Sequence, residues 1–175
     1  MWRMLYDIAF ITGGSCLAPE IRPFNLRRHL NDVLDFQTEV YEVNFPGFRM
    51  NSQFIRHYTD DLRRAVGHPS EGLFVLEDED GACGFLWVAL IVTLTDPCVG
   101  YIKNIYVAPR LRGQRFGVEL LNYAEYWCKQ QGVMYISLDA SCCNDTAVQL
   151  YLKHGYNITR YRMEKPLKSG QDILA

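Results

Sequence analysis

One stretch restricts the possible folds of this chain more than any other: Tyr101-Ile-Lys-Asn-Ile-Tyr-Val-Ala-Pro-Arg-Leu-Arg-Gly-Gln-Arg-Phe-Gly117, with the helix it opens. Tyr101 to Val107 is β-branched and aromatic, which suits a strand. Pro109 cannot donate to a sheet ladder, so the strand ends near Ala108. Beyond the turn, apolar residues recur at Phe116, Leu120, Leu121, Ala124, Trp127 and Cys128. That spacing predicts a helix, with Gly132 as its left-handed cap. The order is therefore strand, Arg/Gly turn, helix. Arg110, Arg112 and Arg115 crowd the start of the helix, where the macrodipole is already positive and backbone N–H groups lack partners. Three cations at a positive end call for an anion, and phosphate is the expected one. The plainer reading is a solvated basic loop between two core elements. A nucleotide P-loop is a poor fit because no Gly-Lys-Ser/Thr follows the glycine, and Gly-x-Gly-x-x-Gly is absent.

Composition narrows the class. At 175 residues the chain is long enough to bury a core as one domain, and 49% hydrophobic with 22% charged is ordinary for a globular protein. A net charge of -2 argues against general nucleic-acid affinity, which needs a basic face. No run approaches the roughly 20 apolar residues of a membrane span. The six cysteines (16, 83, 98, 128, 142 and 143) show neither a small-scaffold pattern nor a C-x-x-C pair. Reduced thiols in a cytoplasm and no bound metal are the expectation.

Residues 1–20 faintly imitate a signal peptide, but Asp7 interrupts a short apolar run. An N-terminal arm or an extra strand is expected there. Ile21–Phe24 reads as a short strand. Asn25 caps a helix reaching about Val43, with Leu26, Leu30, Val33, Leu34, Gln37 and Val40 on one face. Asn44-Phe-Pro-Gly-Phe-Arg is a turn with two aromatics, and Asn51 or Ser52 caps a second helix ending near Gly67. Leu73–Leu76 and Gly84–Val92 form a hairpin across the acidic turn Glu77–Gly81, and Asp96-Pro97 turns the chain into the strand at Tyr101. Met134–Ala140 reads as a strand, Asp145–Lys153 as a helix stopped by Gly155, and Tyr156–Met163 as a last strand. Residues 21–165 thus make an α/β domain with a mixed sheet, followed by a tail over 166–175.

Two motifs carry a resemblance. Val107-Ala-Pro followed by Arg112-Gly-Gln-Arg-Phe-Gly117 resembles the acetyl-CoA signature of the GNAT N-acetyltransferases, Arg/Gln-x-x-Gly-x-Gly/Ala. Asn144-Asp-Thr-Ala-Val-Gln-Leu-Tyr151-Leu-Lys-His-Gly155-Tyr156 resembles the family's Asn-x-x-Ala-x-x-Leu-Tyr-x-x-x-Gly-Phe/Tyr. One departure is visible: Arg115 stands where the family has its first signature glycine.

The resemblance implies a GNAT-like, mostly antiparallel central sheet flanked by helices, and an acyltransferase using acetyl-CoA. It implies that backbone groups of Ile105, Tyr106 and Val107 pair with the pantetheine arm. N–H groups of Arg112, Gly113, Gln114, Arg115, Phe116 and Gly117 would cradle the pyrophosphate, and Asn144 would bond the cofactor near its thiol end. Tyr151 would protonate the departing thiolate. Taken alone, Tyr151 reads as a core tyrosine on an apolar helix face. The sequence around Leu138-Asp139 is similar to the Leu-Glu of bacterial enzymes that acetylate protein N-termini, where the acidic residue is the base. Asp139 is equally readable as a strand-end carboxylate. The acceptor would be a primary amine, small or a peptide N-terminus. It would be held by residues 45–58, the first two helices and the loop at Asp96, with Glu39, Glu42, Asp60 and Asp61 suited to a cation. Neither nucleic acid nor membrane is an expected partner, and oligomeric state is open, a homodimer included. The rival readings are a non-catalytic acyl-CoA-binding module of the same fold, and a nucleotide- or RNA-binding domain using the arginine turn.

Overall fold

The computed structural model describes residues 18–45, 47–92, 98–163 and 165. In chain order the elements are β1 (Glu20–Pro23), α1 (Leu26–Asn44), α2 (Ser52–Ala65), β2 (Glu71–Asp78), β3 (Gly81–Ile91), β4 (Val99–Val107), α3 (Phe116–Gln130), β5 (Ile136–Leu138) and α4 (Asp145–Lys153). Both expected caps form. Asn25 Oδ1 accepts the Arg27 and Arg28 amides at 3.0 and 3.1 Å, and Asn51 Oδ1 accepts that of Phe54 at 2.9 Å. Each satisfies helix-end donors that otherwise lack partners. Most of the expected arm over 1–20, the turn at Asp96 and the tail over 166–175 lie outside the described residues.

The five strands lie in the order β1-β2-β3-β4-β5. Every pairing is antiparallel except the last, where β5 runs parallel to β4. The sheet is therefore mixed and mostly antiparallel, as the family resemblance implies. β3 is its centre, buried from Cys83 to Ala89, which is why that segment is apolar without alternation. Val75, Phe85 and Trp87 pack with Val33, Tyr58 and Leu62 under α1 and α2. Phe74, Leu86, Val88 and Ile102 pack with Leu120, Leu121 and Ala124 of α3 on the other side. The sheet is thus a middle layer between two helical ones.

Two strands depart from expectation. The strand over Met134–Ala140 shrinks to Ile136–Leu138, and Tyr156–Met163 forms no strand at all. The residue types of that last segment suit a strand, but a strand exists only when its backbone finds a ladder. β5 offers three residues, too few to template one, and residues 157–163 are exposed.

β4 carries the irregularity that matters for function. Trp87 pairs with Asn104 whereas Val88 pairs with Ile102, so Lys103 is an extra residue on β4. Such a bulge bends the strand and sharpens its twist. On the other side, the β4–β5 register stops at Ile102↔Leu138. Beyond the bulge the two parallel strands no longer pair, and among the described residues β4 keeps an open edge up to Val107.

Candidate active site

The direction of each backbone group on that open edge follows from one hydrogen bond. Ala108 N–H donates to Cys83 O at 2.9 Å. In an antiparallel ladder hydrogen-bonded and non-bonded pairs alternate. Tyr106, opposite Phe85, therefore turns its backbone toward β3, while Ile105 and Val107 turn theirs outward. Of the three residues that the resemblance implies for pairing with pantetheine, two have backbone groups aimed at the open side. The third, Tyr106, has its backbone committed to the sheet.

The arginine turn closes the edge at its C-terminal end. After a 3-10 turn over Pro109–Leu111 the chain reaches α3 through Gly113 at φ 76° and Arg115 at φ 72°. Arg115 is the only non-glycine with positive φ among the described residues. It occupies the signature glycine position, and it adopts the left-handed conformation that a glycine would take without penalty. The Arg112 N–H is used by Pro109 O at 3.2 Å. The next five amides, Gly113 to Gly117, have no hydrogen-bond partner among the described residues, and α3 has no side-chain cap. Successive free N–H groups with left-handed residues between them make a concave anion nest at a helix N-terminus.

The three arginines do not share one task. Arg110 is bound to the buried Asp78 carboxylate at 2.6 Å, which holds Asp78 below the usual carboxylate range. Arg112 reaches Glu39 of α1 at 2.6 Å and donates from Nε to Val107 O at 3.0 Å. Only Arg115 of the three has no ion-pair partner among the described residues, and it is exposed. The crowding expected from the sequence is thus relieved internally for two of the three.

Glu39 organises the neighbourhood of Arg112. Its second oxygen accepts from the Tyr106 hydroxyl at 2.7 Å, and the Tyr106 ring stacks on Phe36 at 4.5 Å. Burial first, then this bond, push the Tyr106 phenol up to about 12. Sequence reasoning placed Glu39 on the acceptor side. It instead joins α1, β4 and the arginine turn, and its position on the same helical face as Phe36 was the available signal. Deeper in the same layer, Gln37 is fully buried. Its Nε2 donates to Val33 O at 3.2 Å and its Oε1 accepts from Asn104 Nδ2 at 2.7 Å. A glutamine inside an apolar stripe was the sequence signal for this bond.

α4 lies against the start of α3, where a methyl on Gly117 would stand 3.3 Å from Leu150 Cδ2. Tyr151 packs with the α3-side core, its ring 5.9 Å from that of Tyr156. Burial alone pushes its phenol up to about 12. Asn144 caps α4 by accepting from Ala147 N–H at 3.2 Å, and its Nδ2 reaches Asn44 Oδ1 at 3.4 Å. That contact brings the last residue of α1 to the head of α4. Asp139 follows β5 at the mouth of the split between β4 and β5, exposed, and accepts from the Tyr101 hydroxyl at 3.0 Å. No hydrogen bond joins Asp139 to Tyr151 among the described residues.

Histidines and cysteines stay outside this constellation. His29 is buried, with Nδ1 accepting from Asn25 N–H at 3.0 Å and Nε2 facing Glu77 at 3.3 Å. His154 caps the end of α4 and meets Glu125 at 3.3 Å. All five described cysteines are free, and no described helix is long and apolar enough to cross a membrane.

Comparison with known proteins converges on one family. The model of the acetyltransferase (GNAT) family matches residues 32–156. A stretch of 69 residues, 39% of this chain, is 33% identical to an aminoalkylphosphonate N-acetyltransferase of Salmonella typhimurium and covers 45% of it. Another of 101 residues, 55% of the chain, is 28% identical to an aminoglycoside N(6')-acetyltransferase type 1 of Serratia marcescens and covers 69% of it. The chain thus spans less than half of the Salmonella relative. Among solved structures, a predicted acetyltransferase with acetyl-CoA from Clostridium acetobutylicum superposes with TM-score 0.71 at 19% identity, over 85% of this chain and 96% of that one. At that identity the likeness is one of fold.

Proposed function

The chain belongs to the GNAT acetyltransferase family, and from that premise we propose that it transfers an acetyl group from acetyl-CoA to a primary amine by direct attack in a ternary complex. The observation that carries the reading is the union of an open β4 edge with the anion nest at its end. A strand-like arm carrying amides and ending in a pyrophosphate fits both at once: main-chain bonds to Ile105 and Val107, and phosphate oxygens on the amides of Gly113, Gln114, Arg115, Phe116 and Gly117. Arg115, the cation of the turn with no ion pair among the described residues, then adds a charged contact to a phosphate.

The chemistry needs a proton taken from the amine and one given to the departing thiolate. Tyr151 suits the second role, because a phenol pushed up to about 12 by burial stays protonated through the physiological range. Asp139 suits the first, as an exposed carboxylate at the split between β4 and β5 and already in a hydrogen bond. As the amine attacks, the thioester carbonyl becomes an oxyanion, and an outward N–H of β4 beside the bulge can stabilise it. The thiolate leaves with the Tyr151 proton, the carbon–sulfur bond breaks and the amide remains. Asn144 orients the thiol end with the second N–H of its Nδ2, the first being directed to Asn44 Oδ1.

The test is release of CoA thiol from acetyl-CoA across amines, with a protein blank because Cys142 and Cys143 are exposed. Binding of acetyl-CoA in the micromolar range with amine-dependent release is the expected result. Binding without release for any amine makes the protein an acyl-CoA-binding module.

A further inference from the structure

Resting on the acyltransferase reading above, we infer that the acceptor is a small arylalkylamine, one primary amine on an aromatic body, and that the end of α1 with the start of α2 forms its binding wall. Six aromatic rings run in unbroken contact through this part of the molecule. Tyr41 meets Phe45 at 5.3 Å, Phe48 at 5.0 Å and Phe54 at 4.6 Å. Phe54 continues to Tyr58 at 5.7 Å, and Tyr58 to Trp87 at 5.9 Å. The inner end is core: Trp87 is 3% exposed and already carries the Lys103 ammonium 4.1 Å above its ring. The outer end is open, for Phe45 is 55% exposed while Tyr41 and Phe48 are half-buried. A second observation ties this outer end to the chemistry. Phe45 directly follows Asn44, whose side chain contacts Asn144 at the head of the helix that carries Tyr151. The open aromatic surface therefore adjoins the reactive end of the site.

Charge argues for a single ammonium. Of the carboxylates around this wall, Glu39 is paired with Arg112, Asp60 with Arg63, Asp61 with Arg64 and Glu71 with Lys103. Glu42 has no ion pair among the described residues; it is exposed on the last turn of α1, three residues before Phe45, which follows the helix as its C-cap. One free carboxylate beside stacked rings matches one cation on an aromatic body. A polycation such as an aminoglycoside would need several unpaired carboxylates, and among the described residues of this wall Glu42 is the one without an ion pair.

The experiment is steady-state thiol release with 2-phenylethylamine, tyramine, kanamycin, aminomethylphosphonate and an Ala-initiated peptide, on wild type, Phe45→Ala and Phe48→Ala. Expected is a kcat/KM for the arylalkylamines at least about tenfold above every other amine. Removing one ring should raise their KM by about fivefold, the effect of roughly 1 kcal/mol of aromatic contact, with acetyl-CoA affinity unchanged by calorimetry. Phe45 is exposed enough that its variant keeps the fold should Phe48→Ala fail. Kanamycin, aminomethylphosphonate or the peptide equalling the arylalkylamines overturns the inference and leaves the acyltransferase reading standing. So does a KM indifferent to both phenylalanines. No affinity for acetyl-CoA removes the acyltransferase reading itself, and this inference with it.

Discussion

Arg115 sets two requirements of a single residue against each other. Its backbone sits at φ 72°, where a side chain costs about 1–2 kcal/mol. Its guanidinium is the one cation of the turn with no ion pair among the described residues. Arg115→Gly should therefore leave the unfolding midpoint unchanged or raise it, while weakening acetyl-CoA binding at low salt by about tenfold or more, the worth of a charged hydrogen bond. Its salt dependence should also be shallower. Equal or tighter binding by the glycine variant would show that the side chain does nothing for the donor. Tyr151→Phe should keep acetyl-CoA affinity and slow the chemical step about 10²–10⁴-fold. In wild type, a phenol near 12 predicts no basic limb from Tyr151 below about pH 11 in single-turnover experiments. A rate that falls near pH 9 and does so only when Tyr151 is present would contradict this.

At the scale of elements, the strand–turn–helix was legible because its signals are local: Pro109 ends the strand, the apolar period runs on from Phe116, and Gly132 takes φ 76° as the cap. Non-local pairings were not legible. Glu39 shares a helical face with Phe36, but that nearness names neither Tyr106 nor Arg112 as its partner, the first lying 67 residues away. The segment Tyr156–Met163 fails for the same reason in reverse, since its residue types promise a strand and no ladder receives it. The seam between β5 and β4 offers a direct check on Asp139. Burial, then the Asp139 bond and its charge, push Tyr101 up to about 12. Asp139→Asn removes the charge, so the Tyr101 titration seen by ultraviolet difference should move down while staying above 10. If Asp139 is also the base, that variant loses most activity at low pH, where the amine is most protonated. Activity undiminished at every pH, with Tyr101 shifted, would leave Asp139 a structural carboxylate. Gly84 shows how closely β3 and β4 are fitted. A methyl there would stand 2.9 Å from Tyr106 O and 3.0 Å from Leu76 Cβ. Gly84→Ala should cost about 1–3 kcal/mol by chemical denaturation.

Across the whole molecule, the arginine turn is anchored from both sides of the sheet: Arg110 to Asp78 at the β2–β3 hairpin, and Arg112 to Glu39 on α1. Because folding depresses the Asp78 pKa, its contribution is present above about pH 4, the unfolded carboxylate value, and is lost as pH falls through the lower folded value. With Arg110 half exposed the effect is about 1 kcal/mol or less. Wild type and Asp78→Asn should thus differ in urea midpoint at pH 7 and converge in strong acid, whereas a constant gap would mean that the carboxylate charge is irrelevant. The open edge of β4 has a consequence of its own for isotope exchange. The amides of Ile105 and Val107 face outward while that of Tyr106 between them faces β3. In heavy water the strand should therefore exchange as an alternation, quick, slow, quick, over three consecutive residues. A bound pantetheine arm would slow the two quick positions and leave the slow one as it was, so that three amide signals record donor occupancy without any acetyl group being moved.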